Sequence, residues 1–288
     1  MRYQFITQHQ GKYPVTLLCQ MLNVSRSGYY SWSTRTESRR NRENKALLEQ
    51  IITIHQASRE TYGYPRVHAA LRAEGERCGK HRVARLMRAA GVKTRMHRLW
   101  AKSRRGKTFE HIEEDKLKRQ FYAVLPNQRW VSDYTYIPTR EGWLYLAVVM
   151  DLYSRRIVGW SMSDRRNAGL TVDALKMALF RRGEVKGVLV HSDQGMEYRT
   201  GEYHQLLKAN GLVCSMSRKG NCLDNAAMES FFHTLKTELT HHCRYKTRVE
   251  ARRDLFEYIE VFYNQQRRHS TLNYMTPVEY EKTHATSP

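Results

Sequence analysis

The chain has little that would make it a secreted, disulfide-stapled or membrane protein. Its five cysteines (Cys19, Cys78, Cys214, Cys222 and Cys243) are an odd number without a Cys-x-x-Cys pair, so they read as reduced packing residues of a cytosolic protein. The His241–His242–Cys243 run lacks a second ligand pair at zinc-finger spacing, which argues against structural zinc. The longest apolar run, Leu144 to Met150, is strand-sized and far short of the ~20 residues that span a bilayer. The first residues, MRYQFITQHQGKYP, contain no apolar stretch of the kind a secretory signal needs. No internal repeat and no heptad array long enough for a coiled coil is present.

Acid is also scarce. Across 288 residues, 28 Asp and Glu stand against 49 Lys and Arg, a net charge of +21. The imbalance lies at the front, where residues 1–120 hold 26 basic and 10 acidic side chains. So basic a region repels itself unless something neutralises it, which points to a polyphosphate partner.

The front of the chain reads as helices. Residues 12–33 suggest two short helices around a break at 23–25, with Leu17, Leu18, Met21 and Leu22 as an apolar stripe and Ser25 as N-cap. The second helix then offers Arg26, Ser27, Tyr29 and Tyr30, as a helix-turn-helix would. Another pair follows, opened by Pro65 and closed by Gly91. Its second helix, Lys80 to Ala90, turns Val83, Leu86 and Met87 inward and His81, Arg82, Arg85 and Arg88 outward, toward DNA. Arg104 and Arg105 in KSRRGK are expected to lie along a phosphate backbone. The expected divisions are 1–44 (helix-turn-helix-like), 45–95 (basic DNA-binding module), 96–125 (basic linker) and 126–288 (catalytic core with a helical extension).

From residue 128 the pattern changes to strands. Arg129–Pro138, Trp143–Leu152 and Arg156–Ser163 read as an antiparallel meander. A helix (Ala168–Arg182), a strand (Gly187–His191), a helix (Gly201–Asn210), a strand (Leu212–Ser217) and two helices (Asp224–Leu239, Val249–Arg267) follow. The order β-β-β-α-β-α-β-α-α predicts an α/β, ribonuclease-H-like mixed sheet flanked by helices, preceded by an all-α region.

Three acids stand out on this frame. Asp133 sits mid-strand in WVSDYTYI, where a carboxylate is costly to bury without a partner such as a cation. Asp193 ends VLVHSD, at a strand end where ligands gather. With thirty-five residues between them, Glu229 follows Asp193 in the helical NAAMESFFHTLKTEL, and Lys236 comes one heptad on. Hard oxygen ligands converging from distant segments suit a divalent metal pair acting on phosphate. Glu197 is a fallback ligand, His191, Asn225 and Ser192 are candidate orienting groups, and Arg218 and Lys219 are candidate phosphate contacts before the last helix pair. Asp151 is expected to pair with Arg155 or Arg156. Asn264, Arg267, Arg268 and His269 are assigned equally to DNA contact or to locking the last helix onto the core.

The segments WVSDYTYI, HSDQGMEY, SMSRKGNCLDNAAMESFFHTLKTE and YNQQRRHSTLNYMTPVEY resemble the bacterial transposases of the insertion-sequence-three family. The likeness is to their second-reading-frame product, with its retroviral-integrase-type core, and it covers nearly the whole chain. It implies that Asp133, Asp193 and Glu229 are a catalytic metal-binding triad, with Lys236 as the basic residue near the DNA. It further implies two Mg²⁺ ions (or Mn²⁺ in their place), water and then a freed 3′-hydroxyl as nucleophiles, and a circular intermediate from joined element ends. The implied partners are the element ends, target DNA and further copies of the chain in a synaptic complex. The resemblance also implies an upstream-frame product, fused by frameshifting or bound separately, and a cytoplasmic, nucleoid-associated location. A ribonuclease-H-like nuclease that cannot transfer strands is the competing enzyme reading. A regulator derived from an inactive transposase would show a damaged triad, and all three acids are present.

Overall fold

A computed structural model describes residues 2–34, 38–94, 113–218 and 222–284. The chain divides into two compact units, Met1–Thr53 and Ile54–Pro288.

The first unit is helical: α1 (Arg2–His9), α2 (Val15–Met21), α3 (Arg26–Ser33) and most of α4 (Arg39–Ala57). Ser25 caps α3 as expected, its hydroxyl accepting from the Gly28 amide at 3.0 Å. α1 was not expected, and it changes which residues are inside. Ile6, Leu18, Cys19 and Tyr29 form the core, whereas Leu17 and Met21 are exposed. Tyr29 is therefore not an outward residue; its hydroxyl donates to Gln10 Oε1 at 2.8 Å.

In the second unit, α5 (Tyr64–Ala73) and α6 (Lys80–Ala89) precede a five-stranded sheet. The strands are β1 (Arg129–Thr139), β2 (Gly142–Asp151), β3 (Ile157–Ser163), β4 (Leu189–Ser192) and β5 (Val213–Met216), in the order β3-β2-β1-β4-β5. β1, β2 and β3 form an antiparallel meander, β4 pairs parallel to β1, and β5 pairs parallel to β4. This is the mixed sheet the element order predicts.

Alternation along β1 feeds two cores. Trp130 packs with Ala147, Val149 and the inner faces of α7 (Ala168–Arg182) and α8 (Gly201–Ala209). Val131 and Ile137 pack on the other face with α9 (Ala226–Glu238) and α10 (Arg248–Phe256). Caps place these helices: Asn167 accepts from Leu170 at 3.2 Å, and Thr247 forms a reciprocal capping box with Glu250. The helix expected at 249–267 is α10 continued by a π-helical stretch, Glu257–Tyr263, and a further helix, α11 (Pro277–His284), ends the described chain. The end of the expected linker packs against the sheet: Leu117 is buried in the core, and the Lys116 amide donates to Ser215 Oγ at 3.0 Å.

Helix α7 approaches β3 so closely that only glycine fits between them. A Cβ on Gly159 would lie 2.2 Å from the Ala174 carbonyl oxygen and 2.8 Å from the Ala178 Cβ. Gly159→Ala is expected to destabilise the protein by about 3 kcal/mol, the upper end of overpacking costs, measured by chemical denaturation.

Candidate active site

Parallel pairing of β1 and β4 sets Val131 opposite His191 and Ser132 opposite Ser192. Asp133 and Asp193 are the next residues along each strand direction, so neighbouring strands bring them side by side. Both are half-buried. The Asp133 carboxyl is held well above the usual carboxylate range, first by burial and then by the adjacent Asp193 carboxylate; Glu229 adds to the effect, while the Tyr134 amide and Lys236 oppose it. Asp193 is also raised, first by burial, with the Gly195 amide working against the shift. Each carboxylate meanwhile accepts from a nearby amide: Asp133 from Tyr134 at 2.7 Å and Asp193 from Gly195 at 2.8 Å. A Cβ on Gly195 would lie 2.8 Å from Asp193 Oδ1, so a larger residue in this turn would displace that carboxylate.

Helix α9 packs Met228, Phe231, Phe232 and Leu235 onto the same sheet face. That leaves Glu229 exposed in its first turn. Glu229 acts on Asp133 electrostatically, but among the described residues no three His, Cys, Asp or Glu side chains stand close enough to hold a metal ion. The two aspartates are thus together, and Glu229 faces them without closing on them. It makes no ion pair or hydrogen bond among the described residues, so its rotamers are unrestrained by a polar partner. Lys236 is half-buried with its ammonium 5.5 Å from the centre of the Tyr136 ring; burial lowers its pKa and Asp133 opposes the shift. The donors fit a hard divalent cation: two carboxylates whose mutual repulsion a cation would relieve, with a third on a long side chain nearby.

The other candidates are placed differently. Glu197 is buried and ion-paired to Arg166, so it is not a spare ligand. Arg166 also lies 5.1 Å from the Tyr134 ring centre and acts on Asp193. Its sequence context, SDRRNAG, gives no spacing signal for that position; only the fold brings the loop before α7 there. Both ring nitrogens of His191 are taken by serines, Ser215 at 2.9 Å and Ser217 at 3.1 Å, and Ser192 Oγ donates to the Asp193 carbonyl. Asn225 is buried; its amide donates to the Ser132 carbonyl at 3.3 Å, and its Oδ1 has no partner among the described residues.

Among the basic residues, Arg85 and Arg88 are exposed on α6, but Arg82 is half-buried and leaves the outward row. Arg104, Arg105 and Lys219 lie outside the described residues. Arg218 is bonded to buried Asp224 through Nε at 2.9 Å and Nη2 at 3.0 Å, and Arg119 joins them at 2.8 Å. These arginines hold Asp224 well below the usual carboxylate range. A carboxyl depressed in the fold contributes stability above its unfolded pKa of about 3.9 and loses it as pH falls. Asp224→Asn is therefore expected to lower Tm at pH 7 by several degrees, at about 2–4 °C per kcal/mol, with the gap to the parent protein shrinking below about pH 4. Calorimetry across that range checks it.

Comparison with known proteins agrees with this frame. An integrase core domain model matches residues 123–222, a second integrase core domain model matches 229–284, and an HTH-like domain model matches 42–99. The transposase InsF of insertion sequence IS3A from Escherichia coli K12 is 41% identical over 283 residues, covering 98% of each chain. The chain belongs to the IS3 transposase family. This IS3-family chain is also 41% identical to a 31 kDa protein of insertion element IS600 from Shigella sonnei, over 93% of this chain and 98% of that one. The HTLV-2 integrase catalytic core domain in complex with magnesium overlays 55% of this IS3-family chain and 97% of its own, at 17% identity and a TM-score of 0.43, a likeness too slight to decide anything.

Outside the site, two expectations resolve. Asp151 pairs with Arg182 at 3.3 Å rather than with Arg155 or Arg156, because α7 brings Arg182 beside it and Glu281 of α11 takes Arg156. Asn264 and Arg267 lock the fold: Asn264 bonds both backbone groups of Ile157, and Arg267 grips Glu238 at 2.9 and 2.8 Å.

Proposed function

We propose that the chain is the DNA transposase of a bacterial insertion sequence, which binds the element ends, cleaves phosphodiester bonds with Mg²⁺ and joins the freed 3′-hydroxyl to a new phosphate. One observation carries the catalytic assignment: Asp133 and Asp193, sixty residues apart in sequence, are brought side by side and half-buried by the parallel register of β1 and β4, and burial pushes both carboxyls up. That is an unfavourable arrangement for two carboxylates unless a cation shares them.

Asp133, Asp193 and Glu229 would hold the metal, with Glu229 swinging in from α9. Mg²⁺ bound there, as a pair or with Mn²⁺ in its place, supplies Lewis-acid polarisation and charge stabilisation for an in-line displacement at phosphorus. Water attacks first and breaks the P–O3′ bond, leaving a 3′-hydroxyl. That hydroxyl then attacks a second phosphodiester and displaces its 3′-oxygen. No serine or tyrosine need bond to DNA. The Lys236 ammonium, close enough to Asp133 to oppose its pKa shift, would pair with a phosphate entering beside the carboxylates. Arg85 and Arg88 on exposed α6 would hold DNA through its backbone, as would Arg104, Arg105 and Lys219. Arg218 could do so only by exchanging Asp224, and Arg82 only by moving outward.

The same reading includes assembly with further copies on paired element ends, fusion with or binding to an upstream-frame product, and a place at the cytoplasmic nucleoid. Among the described residues, no helix is long and apolar enough to cross a membrane. Incubation with Mg²⁺ and the DNA ends flanking the reading frame, with mapping of products, tests the function. Joined ends are expected. Nicked ends without any joined product would support the nuclease reading instead.

A further inference from the structure

A cavity of about 280 Å³ opens on the flank of α9 away from the carboxylate pair, walled by Ala227, Ser230 and Thr234 of that helix. Its volume is at the small end of ligand sites, roughly 300–1,000 Å³. What sets it apart is charge. Arg66 from α5, Arg155 from the β2–β3 turn and Arg267 from the segment after the π-helical stretch all line it, together with His269.

Only one carboxylate serves these three guanidinium groups among the described residues. Glu238 takes Arg267 in two hydrogen bonds and stands 3.7 Å from Arg66. Arg155 has no ion-pair partner among the described residues; it donates to the Phe121 carbonyl at 3.0 Å. The convergence registers at His269, which is held far toward its neutral form by burial and then by Arg267, Arg66 and Arg155. Arg66 and Arg155 are themselves pushed down, each mainly by burial. Gathering cations with too little opposing charge is unfavourable. On the rim, the Ser230 and Thr271 hydroxyls make no protein hydrogen bond among the described residues and can donate to a ligand.

We infer that this cavity is an oxyanion site and that its occupant is a backbone phosphate of bound DNA, held by Arg66, Arg155 and the Ser230 and Thr271 hydroxyls. The choice of DNA rests on the proposed function; the anion site does not. Guanidinium forks match phosphate oxygens in pairs, and partial burial strengthens the bond. A phosphate seated there would lie against the helix that carries Glu229 and would help to fix the DNA relative to it.

Three variants and two probes test this. With inorganic phosphate against chloride at matched ionic strength, the parent protein should gain Tm with rising phosphate, and Arg155→Gln should lose that response. Thr271→Glu, which supplies a carboxylate at the rim, should raise Tm without phosphate and abolish the phosphate response; this keeps the test decisive if Arg155→Gln fails to fold. With a DNA duplex, the plot of log K against log salt should be shallower for the Arg155 variant by about 0.9, one phosphate contact. Asp193→Asn should keep the phosphate response and the slope, so failed catalysis and a failed anion site are distinguishable. A phosphate response lost in the Arg155 variant with an unchanged slope would uphold the anion site and overturn DNA as its occupant. Equal Tm in phosphate and chloride for the parent protein would overturn the site.

Discussion

Asp193→Asn is expected to lower Mg²⁺-dependent cleavage and joining by about 10³-fold or more while leaving DNA affinity within about threefold. The loss follows from charge. The substituted amide would keep an oxygen able to accept from the Gly195 amide, which holds the turn after β4. It would no longer supply an anionic ligand beside Asp133. Transition-state stabilisation by a bound metal is worth several kcal/mol, and about 4 kcal/mol corresponds to a 10³-fold change in rate. DNA affinity should hold because phosphate contacts come from basic side chains elsewhere. Glu229→Gln is expected to behave alike, and it is the more searching variant. Glu229 stands apart from the aspartates and, among the described residues, makes no polar contact that its loss would disturb. Single-turnover assays on end-containing DNA, with binding measured in parallel, read both quantities. Substantial joining by either variant would count against the assigned roles.

Arg267→Met is expected to destabilise the protein by about 3–5 kcal/mol, the range seen when one partner of a buried ion pair is removed. Arg267 and Glu238 are both almost fully buried. Glu238 also accepts from the Tyr258 hydroxyl at 2.7 Å, so α9, the π-helical stretch and the C-terminal segment meet on one carboxylate. Without Arg267, that carboxylate keeps, among the described residues, Tyr258 and the more distant Arg66 at 3.7 Å. At 2–4 °C per kcal/mol, Tm should fall by about 10 °C. Adding Glu238→Gln should restore part of the loss, because an uncompensated buried charge is then no longer present. No recovery in the double variant would mean that packing, not charge, dominates there.

Much of the fold was legible because local pattern and tertiary role agree. The β-rich run around Asp133 and the helical pattern around Glu229 read as the strand and helix that β1 and α9 are, and Asp193 reads as a strand end because β4 stops at Ser192. The parts that sequence could not give depend on contacts between distant segments. Arg166 reaches the Glu197–Asp193 corner from a loop with no distinguishing spacing, and Asp151 takes Arg182 because α7 crosses the sheet there. Leu117 looks like linker until Ser215 and the core receive it. α1 and α11 are only eight residues each and weakly patterned, so periodicity missed both. The arginine-lined cavity gathers residues that are unremarkable one by one, from α5, a strand turn and the C-terminal segment.

Metal titration of the DNA-bound protein reaches the heart of the proposed chemistry. Mn²⁺ binding, followed by electron paramagnetic resonance, should be measured for the parent and for Asp133→Asn, Asp193→Asn and Glu229→Gln. The expected result is that each of the three substitutions weakens binding about tenfold or more, as loss of an anionic ligand to a hard cation should. Binding by the Glu229 variant as tight as that of the parent would contradict it, and would leave the two aspartates without their third ligand.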